Sequence, residues 1–532
     1  MTTRCAIHRL AYGLVLSLAL QVQAQQPRVQ VDEFVVTGNT LLPAATVAAA
    51  VAPFKGERTL DELQQAARAV QALYRDAGYG AVVAYLPPQS GPPGRVTIAV
   101  LEGHLALVVV SGNQQFSEAN IRRSLPGLVE GRTPQVRRID TEIQLANENP
   151  AKQLALSLEA GQRPGEVEAR VLVSEQPAHR WSVLLDNTGN ANTGRLRAGL
   201  MYQNAALWDL DHVLSLLLQT SPERPSSVAV VSASYHVPFY ERGMTADFFA
   251  VRSDVDNGTT GTAAGPLQFT GRGQMLGVRL NKPLERIGEF DQRLSLGLDR
   301  RDYDNDCSIA GLPPGACGSP GASVTVNPLS LDYTLQRGGE RALGFNAGLT
   351  HNLALGGSHA DAADYEAARP GASRDYSLVR LGAFAARALP HRWQISARIA
   401  AQWTRDGLVN GEQFSIAGST SVRGYEEREI TGDSGVSATL ELYSPSLLPA
   451  TASPKSALRL LGFVDAGKVW NRLNTPCRDA QSSCTLAAVG LGTRLDWQNL
   501  QFRLDLAHAL KNGNLTERGD NRAHLQLIYS FQ

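Results

Sequence analysis

From Arg180 to Gln532 the chain is cut into segments of about ten residues in which apolar and polar side chains alternate, with turn residues between the segments. The clearest segment puts Trp393, Ile395, Ala397, Ile399, Ala401 and Trp403 on one face and Gln394, Ser396, Arg398, Ala400 and Gln402 on the other. Leu500, Phe502, Leu504 and Leu506 oppose Gln501, Arg503 and Asp505 in the same way, and Val489, Leu491, Leu495 and Trp497 oppose Gly490, Gly492, Arg494 and Asp496. A period of two marks strands, because successive side chains point to opposite faces. Apolar-out, polar-in alternation with charges on the inner face is what a water-filled membrane barrel needs. A soluble β-sandwich or propeller accounts less well for Arg and Asp recurring on a regular second face. Strands are predicted to begin near 180, 194, 212, 226, 244, 269, 290, 323, 341, 374, 393, 434, 457, 485, 500 and 523, which is sixteen. An even number lets an antiparallel barrel close, and closure leaves no backbone edge unpaired in lipid.

The connections support that count. With the first strand leaving the periplasm, the inside turns are mostly short: Trp208–Asp211, Pro238–Gly243, Leu284–Gly288, Gly338–Glu340, Pro390–Arg392 and Asn499. Leu447–Pro454 is the long exception, without an explanation in the sequence. The outside loops include Asp304–Ala322, Leu355–Ser373, Gly407–Asp433 and Asn471–Cys484. Composition removes other classes. Lys plus Arg equals Asp plus Glu at 50 each, so there is no basic surplus for nucleic acid. Beyond the N-terminus no apolar run nears the ~18 residues of a membrane helix.

Residues 1–24 read as a secretory signal, with Arg4 and Arg9 ahead of apolar Leu10–Leu20 and Val22-Gln23-Ala24 as the cleavage site. An exported chain tolerates disulfides. Two local cysteine pairs fall in outside loops, Cys307 with Cys317 and Cys477 with Cys484. Four cysteines allow three connectivities, and local pairing is the simplest. Spacings of ten and seven with no His nearby match no zinc finger.

The first third contains a repeat. Val35-Val36-Thr37-Gly38-Asn39 is echoed 74 residues later by Val109-Val110-Ser111-Gly112-Asn113. The first copy reads as strand Val31–Thr37, helix Pro43–Ala50, helix Leu60–Asp76, and strands Ala81–Leu86 and Arg95–Leu101. The second reads as strand Leu105–Val110, helices Ser117–Leu125 and Gln135–Glu148, and strands Gln153–Glu159 and Glu166–Val173. Repeats are usually binding arrays. This βααββ pair resembles paired POTRA (polypeptide-transport-associated) domains, whose strand edges can take up an extended chain by β-augmentation.

Two motifs stand out in the barrel. Gly418-Ser419-Thr420-Ser421-Val422-Arg423-Gly424-Tyr425 lies in the longest outside loop, and Phe463-Val464-Asp465-Ala466-Gly467 on the thirteenth strand. Asp465 shares a face with Arg459 and Gly467 and needs a partner on a low-dielectric wall. Either Arg459, or Arg423 from a loop folded into the lumen, could form the two-bond guanidinium–carboxylate pair, and Gly424 would allow the turn at the loop tip. The Val-Arg-Gly-Tyr loop followed by Phe-x-Asp-x-Gly resembles the outer-membrane translocation and assembly barrels. With two POTRA units ahead, the chain is similar to two-partner secretion transporters, the TpsB group of haemolysin and filamentous-haemagglutinin secretors. Asp186, Asn187 and Gly189 at the end of the first strand, and Asn147-Glu148-Asn149-Pro150 in the second unit, fit the same group.

The resemblance implies an all-β transmembrane barrel of sixteen antiparallel strands preceded by two α+β POTRA domains: 1–24 signal, 27–102 and 103–176 POTRA, 177–532 barrel. It implies an Arg423–Asp465 lock in the lumen, with Val422, Gly424 and Tyr425 in the loop motif and Phe463 and Gly467 in the strand motif. The implied partner is a large exoprotein bound by POTRA domains in the periplasm and exported unfolded across the bacterial outer membrane. Outer-membrane lipid surrounds the barrel, the barrel-assembly machinery acts during biogenesis, and neither cofactor nor nucleic acid is called for. Related transporters often carry a plug helix ahead of the first unit; only Gln25–Arg28 precede Val29, so closure is expected to rest on the inward loop. The aromatic assembly signal is usually final, whereas here Tyr529 and Phe531 stand ahead of Gln532. The alternatives are a barrel-assembly factor, which tends to carry more POTRA units, and a passive porin, which leaves the repeat unexplained. No GxSxG, HExxH, Walker loop or complete GxGxxG is present. His351, His359, Asp361 and Asp364 could make an outer-loop metal site but read better as scattered solvated loop residues, and Glu426-Glu427-Arg428-Glu429 reads as a solvated run.

Overall fold

The computed structural model describes residues 27–255, 259–262, 265–270, 272–304, 322–449 and 456–531. The expected signal peptide and most of the Leu447–Pro454 turn lie outside the described residues. So do Cys307 and Cys317, and the disulfide expected between Cys307 and Cys317 falls outside them too. The chain forms two compact units that divide between His104 and Leu105.

In the first unit, β1 (Arg28–Thr37), β2 (Gly56–Thr59), β3 (Val82–Tyr85) and β4 (Gly94–Glu102) make a sheet in the order β2-β1-β4-β3, with β1 parallel to β4. Helices α1 (Ala44–Val51) and α2 (Leu60–Asp76) complete it. A capping box starts α2: the Thr59 hydroxyl accepts from the Glu62 N–H, and the Glu62 carboxylate accepts from the Thr59 N–H. The helix buries Leu63, Ala66, Ala67, Val70 and Tyr74 on one face. The edge strand β2 was not predicted, because Gly-Glu-Arg-Thr has no apolar alternation.

The sequence echo has a structural cause. Gly38 (φ +79°) and Gly112 (φ +85°) lie in the left-handed region, and a Cβ on either would collide with the carbonyl of Val100 or Val173. The following Asn closes each turn: Asn39 Nδ2 donates to the Leu42 carbonyl at 2.9 Å and Asn113 Nδ2 to that of Phe116 at 3.0 Å. A glutamate at the end of the last strand then gathers the turn's N–H groups. Glu102 accepts from Thr40 (2.8 Å) and Leu41 (3.0 Å), and Glu175 from Gln114, Gln115 and Phe116.

These bonds make the first unit acid-sensitive. Partial burial raises the Glu102 pKa, but hydrogen bonds from Thr40, Tyr74 and Leu41 outweigh it and hold the carboxyl below its ordinary 4.5. A depressed carboxylate pKa contributes stability above the ordinary value, lost as pH falls through the lowered one. Glu102→Gln is therefore expected to lower the thermal midpoint of the first unit at neutral pH, with the gap to wild type narrowing below pH 4.5. Calorimetry of the full chain at several pH values checks this; equal midpoints at neutral pH would remove Glu102 from the fold's support.

The second unit begins with the second copy: β5 (His104–Ser111), α3 (Glu118–Ser124), α4 (Val136–Ala146), β6 (Lys152–Ala160) and β7 (Glu166–Glu175), with sheet order β5-β7-β6. Among the described residues sixteen barrel strands follow. In order they are His179–Asp186, Arg197–Leu207, His212–Thr220, Val228–Phe239, Met244–Val255, Gly273–Ile287, Phe290–Tyr303, an eighth interrupted strand (Val324–Val326 and Pro328–Arg337), Arg341–Asn352, Ser377–Ala388, Gln394–Thr404, Ser434–Tyr443, Ala457–Trp470, Ser483–Trp497, Leu500–Ala509 and Asn521–Phe531. Neighbours are antiparallel, and the sixteenth pairs with the first from Gln526↔Asp186 to Phe531↔Trp181, closing the barrel. The sixth strand begins at 273 rather than 269, because Gly265–Thr270 pairs locally with Thr259–Thr262 in an outer hairpin. The outward face carries the apolar band, including Ile399, Leu440, Val464, Leu491 and Leu506. Trp181, Trp393, Trp497, Tyr529 and Phe531 are exposed at its periplasmic edge, as an interfacial girdle.

Candidate functional site: an inward loop and the repeat–barrel joint

The loop between the eleventh and twelfth strands enters the lumen. Its base is a small ladder, Phe414–Ser415 against Thr431–Gly432. Above it the Ile416 N–H donates to the Ile430 carbonyl and the Val422 N–H to the Ile416 carbonyl. Ile416, Ala417, Val422, Tyr425 and Ile430 pack against Val469, Leu486, Ala488 and Ala509 of the barrel wall. That wall is small where the loop lies closest. A Cβ on Gly467 would press into Ile416 and Val422.

The strand motif is thus one functional face repeating every second residue. Phe463 lies under the Arg423 guanidinium, 3.5 Å from ring centroid to Cζ. Asp465, fully buried, accepts from Arg423 Nε at 2.7 Å, Nη2 at 2.9 Å and the backbone N–H at 3.1 Å. Gly467 supplies the space. Arg423 Nη1 also reaches Glu441 at 2.8 Å and Asp505 at 3.5 Å. Arg459 turns instead to Gln394 at 2.8 Å, so of the two partners open to Asp465 the structure places the loop arginine there. Gly424 (φ +95°) donates its N–H to His524 Nε2 at 2.9 Å. The Tyr425 hydroxyl lies 2.9 Å from the carbonyls of both Ala487 and Lys511.

The acidic run after Tyr425 is not solvated. Glu429 is buried and accepts from the N–H groups of Leu515 (2.6 Å) and Thr516 (2.7 Å) and from the Thr516 hydroxyl (2.7 Å). Glu427 accepts from the Ser419 N–H at 2.6 Å, Glu426 pairs with Arg522 at 3.2 Å, and Arg428 donates to the Asn410 carbonyl at 2.8 Å. A loop folded inward turns residues that look like solvent contacts into internal ones. Two further ties hold the loop nearer its ends. Glu412 accepts from Arg301 at 2.7 Å and from the Tyr303 hydroxyl at 3.0 Å, and buried Asp433 pairs with Arg369. Arg369 follows helix α5 (Ala362–Ala368) of another outer loop, an element the sequence did not announce. Asp361 and Asp364 cap that helix, and His351 bonds Ser377. Among the described residues no cluster is arranged to hold a metal.

The first-strand motif sits at the seam. Asn187 uses both ends of its amide like a ladder residue, donating to the Ala523 carbonyl and accepting from the Leu525 N–H, each at 2.8 Å. Asp186 accepts from the Thr188 N–H at 2.9 Å, and a Cβ on Gly189 would strike the Gly194 carbonyl. Of the two local cysteine pairs, Cys477 and Cys484 form a disulfide, while Cys307 and Cys317 lie outside the described residues.

A second constellation escaped the sequence reading. Lys152, at the start of β6, is fully buried and pairs at 2.7 Å with Asp211 of the turn between the second and third barrel strands. Asp211 also accepts from the Tyr240 hydroxyl at 2.6 Å and from Asn120 at 3.0 Å, and Lys152 donates to Asn120 at 2.7 Å. Burial pulls the Lys152 pKa down against the attraction of Asp211, and burial with the Asp211 charge pushes Tyr240 up. Asn149 donates to the Ala205 carbonyl at 2.7 Å and Glu148 pairs with Arg293. The Asn147–Pro150 segment therefore joins the second repeat to the periplasmic end of the barrel. Its sequence signal was the motif itself; nothing in it named Lys152 or Asp211.

A closed sixteen-stranded barrel with an apolar outer band, its lumen holding its own ionically tethered loop, is an outer-membrane protein. Residues 168–495 match the haemolysin secretion/activation protein family ShlB/FhaC/HecB, and residues 29–103 match the ShlB-type POTRA domain. The chain belongs to that family, the transporters of two-partner secretion. It is 27% identical over 483 residues to the outer membrane transporter CdiB of Escherichia coli O6:K15:H31 (strain 536 / UPEC), covering 88% of this chain and 77% of that one. It is 22% identical over 488 residues to the heme/hemopexin transporter protein HuxB of Haemophilus influenzae (strain 86-028NP), covering 89% and 82%. The solved structure of CdiB from Escherichia coli shares the fold at TM-score 0.78 and 19% identity, covering 97% and 93%. BamA from Haemophilus ducreyi lacking POTRA domains 1-3 superposes at 0.50 and 14% identity, covering 95% and 100%.

Proposed function

We propose that this chain captures one large exoprotein in the periplasm through its POTRA units and passes it unfolded through the barrel while the inward loop moves aside. The observation that carries this reading is the Arg423 tether, a contact that holds the loop inside the lumen and can be released without breaking a covalent bond. Capture by strand addition is supported by edges in both repeats. In the first, β3 is an edge strand with Val83 and Tyr85 exposed. In the second, edge strand β5 is guarded by side chains: the Val108 N–H donates to Glu130 at 3.3 Å and its carbonyl accepts from Arg122 at 2.9 Å. An incoming strand would replace those two bonds with its own backbone.

Deleting the gene in its host and profiling the culture supernatant and cell surface by mass spectrometry tests this. One very large protein is expected to disappear, to return with the wild-type gene, and to stay absent with a version lacking residues 27–176. An unchanged secretome with a general drop in outer-membrane barrels would overturn the reading in favour of an assembly factor.

A further inference from the structure

The outer rim at the thirteenth to sixteenth strands carries cations that the inward loop does not use. A notch of about 490 Å³ there is lined by Arg478, Gln481, Thr485, Lys511, Asn512 and Arg518, among others, and by no carboxylate. Lys468 stands beside it, directly across the ladder from Thr485. Among the described residues the one ion pair of this group is Arg478 with Asp479 at 3.5 Å, and that carboxylate is 83% exposed. Glu517 and Asp520 flank Arg518 in sequence and bond each other, the Glu517 N–H donating to Asp520.

The notch is built rather than accidental. The Cys477–Cys484 disulfide closes the segment carrying Arg478 and Gln481. The Arg478 guanidinium donates to the Asn512 carbonyl, and Asn512 Oδ1 accepts from the Arg518 N–H at 2.7 Å, so the two loops pin each other. Its height is set by the strands. On the outward face of the thirteenth strand, exposed Leu460 and Val464 give way to exposed Lys468. On the fourteenth, exposed Leu491 gives way to Thr485 and Ser483. The cations therefore lie where the apolar band ends on the extracellular side, at the level of outer-leaflet head groups.

We propose that this notch binds the phosphate groups of the glycolipid of the outer leaflet, lipopolysaccharide. Guanidinium groups take phosphate oxygens in two-bond geometry, the lysines add point charge, and the apolar band below receives acyl chains. The site also touches the lumen. Residues 511–516 hold the notch on one side and, through Lys511, Leu515 and Thr516, grip Tyr425 and Glu429 of the inward loop on the other.

The test uses the purified full-length protein in nanodiscs, titrated with bisphosphorylated lipid A, dephosphorylated lipid A and inorganic phosphate. Each basic side chain near an anionic lipid surface contributes a factor of about five. Lys511→Ala/Arg518→Ala is expected to weaken bisphosphorylated lipid A by about 25-fold, and dephosphorylated lipid A to bind little. Should the double variant fail the heat-modifiable mobility test for a folded barrel, Lys468→Gln, which touches neither loop, is expected to lose about five-fold. Unchanged affinity in a folded variant, or equal binding of dephosphorylated lipid A, overturns the proposal. Competition by inorganic phosphate at the lipid's own concentration would assign the notch to a free anion and overturn the lipid reading.

Discussion

Arg423→Ala is expected to raise the resting conductance of the barrel and to abolish export, and to do both more severely than Asp465→Ala. The asymmetry follows from the number of partners. Arg423 is buried against three carboxylates, Asp465 at 2.7 Å, Glu441 at 2.8 Å and Asp505 at 3.5 Å. Removing it leaves buried Asp465 without its cation and the other two acids with Arg494, which reaches Asp505 at 2.8 Å and Glu441 at 3.9 Å. Removing Asp465 leaves Arg423 two carboxylates. Deleting one member of a buried pair costs about 3–5 kcal/mol, which moves a docked–undocked equilibrium by roughly a hundredfold or more. Asp465→Ala takes away three bonds from Arg423 but leaves its guanidinium neutralised by Glu441 and Asp505, so no unpaired charge stays buried. Planar-bilayer conductance, and export normalised to folded barrel, check both variants. Wild-type behaviour in both would take the lock out of the mechanism. A more severe Asp465 variant would show that the backbone bond from Arg423, not its guanidinium, fixes the loop.

The other ties suggest the order of release. Near its ends the loop is held by Glu412 to Arg301 and by Asp433, which pairs with Arg369 and also accepts from the N–H groups of Leu408 (3.0 Å) and Arg472 (2.8 Å). Backbone contacts to a buried carboxylate make Asp433 a pivot rather than a latch. At the tip the Arg423 guanidinium adds bonds to Asp465 and Glu441 that can exchange partners along a lumen rich in charge.

The barrel was legible because membrane strands obey a strict period of two, and a slip of one residue would turn Asp465 toward lipid. The Arg423–Asp465 pairing was open from the residues alone, since Arg459 lies on the same face; the family resemblance favoured the loop arginine. What stayed hidden depends on long-range approach. The Glu426–Glu429 run looks solvated by composition, and only the fold brings Thr516 to Glu429. Likewise β2 has no pattern of its own and exists because β1 offers an edge. Lys152 and Asp211 are 59 residues apart, in segments whose local patterns give no hint that they meet.

That buried pair supports the other large expected effect. Lys152→Met is expected to loosen the second repeat from the barrel, whereas Lys152→Met/Asp211→Leu recovers most of the loss. The single variant leaves the Asp211 carboxylate fully buried with the Tyr240 hydroxyl and the Asn120 amide but no cation, a situation that costs about 3–5 kcal/mol. The lowered Lys152 pKa shows that burial outweighs the attraction of Asp211 for that charge. Desolvation offsets most of what a buried ion pair gains, so an apolar pair of similar volume is expected to replace it at little cost. The ion pair's contribution is to specify how the repeat seats on the turn, since a half-satisfied site tolerates no other arrangement. Limited proteolysis between residues 175 and 179, read together with export, measures the joint; the single variant should be cut faster and export less, and the double variant should approach wild type. A single variant as resistant as wild type would mean that Asn149 and the Glu148–Arg293 pair hold the joint without the buried charges, and the network around Asp211 would then be a consequence of docking rather than its cause.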